Sequence, residues 1–157
     1  MKIKPVIKGE EPKNPKFVDF VTSYVAAQGF LSSIHATIEK LAVGKVTLKI
    51  PYSASVGQHT GAFHGGVIGA LSEAAMGACA ATMIQPNQTV VGAEYKVNFL
   101  SLAQGETLIA EGEILKAGRS LSVCRATVLV SQADGSSKVV AVAQGTMANI
   151  NADPHNS

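Results

Sequence analysis

Charge is scarce in this chain. Asp, Glu, Lys and Arg make up 15% of its 157 residues, against roughly 25% in typical soluble proteins. A chain so poor in charge hides much of its surface, in a core or against another copy of itself. Cysteine is limited to Cys79 and Cys124, too few for a disulfide framework, and no Cys or His stands at zinc-ligand spacing; both cysteines read as small apolar fillers. No run approaches the ~18 consecutive apolar residues of a membrane span. The net charge of +2 comes without a basic cluster interleaved with aromatics, which argues against nucleic acid and is compatible with a small anionic ligand. A phosphate-binding P-loop, a dinucleotide-type glycine pattern and a Gly-x-Ser-x-Gly elbow are all missing. The lysines of Met1-Lys2-Ile3-Lys4-Pro5 are not followed by the apolar core of a secretory signal, so the expected location is cytoplasmic.

What is there stands out against this background. Glu73 is the only formally charged residue between Lys49 and Glu94. It lies in the run His64-Gly65-Gly66-Val67-Ile68-Gly69-Ala70-Leu71-Ser72-Glu73-Ala74-Ala75-Met76-Gly77-Ala78-Cys79, apolar nearly all round, which reads as an enclosed helix from Gly66 to about Ile84 closed by Pro86-Asn87. A carboxylate on a buried helix is costly unless something pairs with it or uses it.

The rest of the chain organises around that helix. Residues 1–14, with Pro5, Pro12 and several lysines, read as a loosely held arm, 15–150 as one domain, and 151–157 as a frayed tail. Phe17-Val18, Phe20-Val21 and Tyr24-Val25 recur at helical spacing up to Gly29. Ser33–Lys40 and Val43–Pro51 alternate as strands around a turn at Gly44, and Ser53–Phe63 is a loop. Four further strands are expected over Thr89–Leu100, Glu106–Lys116, Ser120–Ser131 and Lys138–Ile150, linked in part by Ala117-Gly118-Arg119 and Asp134-Gly135-Ser136. Consecutive strands of this kind pair antiparallel. The expected class is α+β, one antiparallel sheet wrapped around a long central helix.

The glycine pair Gly65-Gly66 precedes the helix, where free N–H groups and the positive dipole end suit an anion or oxyanion; a tight turn alone would also call for it. His64 is a general base or a cap on the loop. Gln58 and His59, just upstream, can hold a water or a polar ligand group. Arg119 sits at a hairpin turn, where a guanidinium meets phosphate by bidentate hydrogen bonds, with Ser120 beside it; Lys96 and Arg125 are weaker candidates of the same kind. Glu73 follows Gly65 by eight residues, about 12 Å of helical rise. One substrate carbon cannot touch both on the same helix. Either the two are unrelated, or a two-fold dimer with antiparallel helices brings each Glu73 to the other chain's Gly65.

The spacing of His64-Gly65-Gly66 and Leu71-Ser72-Glu73-Ala74-Ala75-Met76-Gly77 resembles the signature of hotdog-fold thioesterases of the phenylacetate-pathway and 4-hydroxybenzoyl-CoA type, with Thr89-Val90-Val91, Tyr95, Val97, Asn98 and Phe99 extending the likeness over roughly residues 46–150. The resemblance implies a hotdog fold and a homodimer doubled into a homotetramer, with no metal and no cofactor beyond the coenzyme A of the substrate. It also implies that the Gly65 amide polarises an acyl-CoA carbonyl while Glu73 of the opposite subunit acts as nucleophile or general base. Gln58 would orient water or carbonyl, and Gly66, Arg119, Ser120 and Lys96 would contact substrate. Two departures concern hydroxyls: relatives tend to carry one a turn after the acid, where this chain has Gly77, and some carry one at Gly92. Other outcomes on the same fold are a hydroxyacyl-thioester dehydratase, disfavoured by the missing Phe-Pro-rich loop, and a non-catalytic acyl-CoA-binding protein, disfavoured by the retained Glu73.

Overall fold

The computed structural model describes residues 11–152. Helix α1 spans Phe17–Ala26 and α2 Gly29–Ser33; β1 (Thr37–Ala42) and β2 (Lys45–Pro51) follow, then a 3-10 turn at Ala54–Val56 and the long helix α3 (Gly65–Ala81). Four strands complete the chain: β3 (Gln88–Phe99), β4 (Thr107–Ala117), β5 (Leu121–Ser131) and β6 (Ser137–Asn151). All six strands form one antiparallel sheet in the order β1-β2-β4-β5-β6-β3. This is the expected α+β hotdog arrangement, a sheet curled around a central helix.

Alternation along the strands sets one face against α3. Val46, Leu48 and Ile50 of β2, Leu108 and Ala110 of β4, and Cys124, Ala126, Val128 and Val130 of β5 are all buried there. Small residues let helix and sheet approach closely: a Cβ on Gly112 of β4 would lie 2.7 Å from the Ala75 carbonyl oxygen. The end of α3 is tied to the β1–β2 turn, because the Thr82 hydroxyl donates to the Cys79 carbonyl (2.7 Å) and accepts from the Gly44 N–H (2.8 Å). Cys79 and Cys124 are buried, as fillers should be, and the Cys79 sulfur accepts from the Val46 N–H at 3.2 Å.

Two expectations are corrected. The first strand starts at Thr37 rather than Ser33, because α2 takes Gly29–Ser33 and His35 adopts φ 57°, a left-handed geometry that ends the helical turn. Consecutive strands pair at β1–β2, β4–β5 and β5–β6, but β3 crosses to the far edge and pairs with β6. Asn14, at the end of the segment expected as an arm, is buried, and its side-chain oxygen accepts from the Lys16 N–H at 2.9 Å. Residues 1–10 of that arm and 153–157 of the tail lie outside the described residues. No helix among the described residues is long and apolar enough to cross a membrane.

Candidate active site

Two groups of candidate residues lie along the seam between α3 and β3. Going along α3, Gly65 faces the Phe99 ring, Gly69 faces the Tyr95 hydroxyl, and Glu73 reaches the backbone of Gly92. The helix therefore runs antiparallel to the strand, and its small residues let β3 side chains lie directly on it.

At the N-terminal half, His64 is the helix cap. Its backbone is extended (φ −67°, ψ 139°), and its ring Nδ1 accepts from the Gly66 N–H at 2.9 Å. The first free donor of the helix is thus already satisfied at Gly66, while the Gly65 N–H has no acceptor among the described residues. An unpaired N–H at the positive end of a 17-residue helix is an oxyanion-type donor. It opens onto a cleft of about 370 Å³ lined by Gln58, Phe63, Gly65, Ile68 and Phe99 through Ala103. Gln58 and Gly65 are thereby brought together. The Gln58 backbone is fixed by its N–H to the Ala62 carbonyl (2.8 Å), next to the Gly57–Phe63 bridge. His59 is exposed.

The second half surrounds Glu73. Burial pushes its carboxyl up from the ordinary carboxylate range. None of the ion pairs of the described residues includes it. Its neighbour is Tyr24 of α1, whose phenol is pushed up to about 12 by burial first and by the Glu73 charge second. Gly92 carries no side chain for a steric reason: a Cβ there would collide with Glu73 Oε1. The hydroxyl expected at that position from the likeness is absent because the carboxylate occupies its space. Tyr24 itself escaped the sequence reading, since an aromatic at helical spacing looks like core packing and nothing in sequence marks its hydroxyl.

The remaining candidates are placed apart. The β4–β5 turn carrying Arg119 and Ser120 is exposed. It is held by Asn149 of β6, whose Nδ2 donates to the Gly118 carbonyl at 3.1 Å and whose N–H donates to the Ser120 carbonyl at 2.8 Å. Because Asn149 pairs with Val90, this turn lies toward the Glu73 half, not the Gly65 half. Lys96 follows Tyr95 and so points to the opposite sheet face, where it lines a shallow depression with Arg125 and Gln144; the sheet separates it from both halves. A larger cleft, about 1040 Å³, lies beside α1 and β1 around Lys45, Glu113 and Arg125 and touches none of the catalytic candidates.

Comparison with known proteins agrees with this fold. A family model described as Thioesterase superfamily matches residues 60–134. A 1,4-dihydroxy-2-naphthoyl-CoA hydrolase of Listeria monocytogenes is 28% identical over 120 residues, 76% of this chain and 94% of its own length. A thioesterase family protein of Silicibacter pomeroyi has a similar structure, with TM-score 0.84 and 29% identity over 87% of this chain and 99% of that one. The PaaI protein of E. coli, from the phenylacetic acid degradation operon, shares the fold, with TM-score 0.75 and 16% identity over 87% of this chain and 94% of its own. Residues 60–134 are thus similar to the thioesterase superfamily, and the fold is the hotdog arrangement of solved thioesterases.

Proposed function

We propose that this protein hydrolyses the thioester of a small, medium or aryl acyl-CoA to the free acid and coenzyme A, in a site shared by two subunits. The observation that carries the reading is the separation of an unpaired Gly65 N–H and a half-buried Glu73 carboxylate along one helix. Each lacks the other, and about 12 Å of helical rise keeps them apart within a chain.

A second copy supplies the missing half. Strand β3 is the longer of the two edge strands of the sheet, with residues 91–96, 98 and 99 exposed, and so long an unpaired edge invites pairing. Antiparallel pairing of two β3 strands around a two-fold at Tyr95 sets Glu94 opposite Lys96 of the partner subunit, an attractive cross-strand pair. Tyr95 stands on Gly69, which lies four residues from both Gly65 and Glu73 (69 − 65 = 4; 73 − 69 = 4). The same two-fold therefore carries Glu73 of the partner subunit toward Gly65. The homodimer, its doubling to a homotetramer and a cytoplasmic location belong to this proposal.

In the shared site, the Gly65 N–H and the helix dipole stabilise the charge that develops on the thioester oxygen. Gln58, in the same cleft, orients the carbonyl or a water. Glu73 of the partner subunit attacks the acyl carbon or takes the proton from an attacking water; the C–S bond breaks and the thiolate leaves as coenzyme A. Arg119 and Ser120 stand where the nucleotide phosphates can be met. A thiol-release assay over short, medium, long and aryl acyl-CoA esters tests the reading. Release of coenzyme A from at least one class supports it. Reversible hydration of crotonyl thioesters without free thiol, or ligand-induced thermal stabilisation without turnover, contradicts it.

A further inference from the structure

Beyond Glu73, on the side away from the Tyr95 hydroxyl at Gly69, the hydroxyl nearest Gly77 comes from a different element, α1. One turn beyond Glu73 on α3 is Gly77, and the strand residue facing the carboxylate is Gly92. Neither offers a polar side chain. The space above Gly77 is filled instead by the Tyr24 hydroxyl of α1: a Cβ on Gly77 would lie 3.2 Å from it and within 4 Å of no other atom. Glu73 and Gly77 are four apart and share a helix face, while Val90 and Gly92 share a strand face. The Tyr24 oxygen lies between Gly77 and the Val90 carbonyl, and the Glu73 carboxylate lies against Gly92 on the adjoining rung.

That phenol is poorly satisfied where it stands. Its only hydrogen bond among the described residues, to the Val90 carbonyl, is 3.4 Å long, well beyond the roughly 2.7–2.8 Å of a good hydroxyl bond. A partly buried hydroxyl with a loose donor and free lone pairs has capacity for another partner. Burial first and the nearby Glu73 charge second disfavour its ionisation, so the phenol keeps its proton across the working pH range.

We propose that Tyr24 is a positioning residue of the hydrolytic site, its phenol holding the water on which thioester cleavage at Glu73 depends. The inference rests on the reading of Glu73 given above and adds the group that orients its water. In the step, the water oxygen bonds to the acyl carbon and Glu73 takes the water proton. The C–S bond then breaks, and the departing thiolate is reprotonated to coenzyme A. Tyr24 neither gains nor loses a proton. Should Glu73 attack first, the same water hydrolyses the acyl-glutamate.

The test uses the full chain and a thiol-release assay with its best acyl-CoA. Tyr24→Phe keeps the ring and removes the oxygen; kcat should fall about tenfold with KM changed by less than about twofold, the effect of one hydrogen bond lost in the transition state. Adding Gly77→Ser to Tyr24→Phe returns a hydroxyl to the emptied spot and should restore kcat, which a packing role would not do. In a Glu73→Gln background, Tyr24→Phe should cost nothing further. An unchanged kcat for Tyr24→Phe, a loss that Gly77→Ser does not restore, or an additive loss in the Glu73→Gln background overturns the proposal. Wild-type turnover in Glu73→Gln alone is a separate result that overturns the role of Glu73 itself.

Discussion

The first turn of α3 and its middle are made of the same small residues, yet they are opposite in character. At Gly65 the helix presents an unpaired N–H and its positive dipole end to an open cleft shared with Gln58. Two turns later, Glu73 is packed between Tyr24 and Gly92, with its carboxyl pushed up by burial. One end is a donor without an acceptor, the other an acidic group without a cation. Within a chain, both features only cost stability. On the proposed reading, a two-fold axis brings them together and each complements the other.

Breaking the anionic half should have the largest effect. Glu73→Gln keeps shape and removes the base or nucleophile, so turnover should fall on the order of 10³-fold in a thiol-release assay. The donor half comes next. Gly65 is the first residue of the helix and His64 before it is already extended (ψ 139°), so Gly65→Pro fits the backbone and deletes the N–H, with a Cβ that the Phe99 ring, 3.2 Å away, must give way to. Turnover should drop roughly 10²- to 10³-fold while circular dichroism keeps its wild-type helix content; wild-type turnover would remove Gly65 from the mechanism.

A smaller loss should follow from moving the carboxylate without removing it. Gly92→Ala places a methyl group where Glu73 Oε1 now lies, and kcat should fall roughly 10- to 100-fold for a displacement of this kind. Full activity in this variant would mean that the carboxylate position is not critical. The subtlest effect is on stability. A carboxyl whose pKa is higher in the folded than in the unfolded chain holds its proton more tightly when folded. Stability therefore falls as pH rises through that interval. Glu73→Gln should raise the thermal midpoint at neutral pH, with the gain vanishing as pH falls below the ordinary carboxylate range; equal midpoints at neutral pH would show that burial is compensated by an interaction with the partner.

Much of this was legible in the residues alone. The long elements follow from periodicity, and Glu73 is conspicuous because no other charge stands near it in sequence. Helical rise alone separated it from Gly65. The edge position of β3 was not legible, because pairing with β6 is a long-range choice that alternation within β3 does not encode. That choice also decides which residues face the helix: Tyr95 does and Lys96 does not, so a lysine selected by type alone fell on the far side of the sheet. Tyr24 was read as apolar spacing, and Gly92 as a missing hydroxyl rather than as room for a carboxylate. The start of β1 was lost to His35, whose left-handed backbone has no signal in an alternating run.

The central claim, that each site takes its donor from one subunit and its carboxylate from the other, is tested most directly by mixing two inactive variants. Gly65→Pro and Glu73→Ala chains, unfolded and refolded together in equal amounts, should recover about a quarter of wild-type turnover, because half the dimers are mixed and each mixed dimer has one intact site. A mixture as inactive as either variant alone would place both groups in the same chain's site and contradict the account.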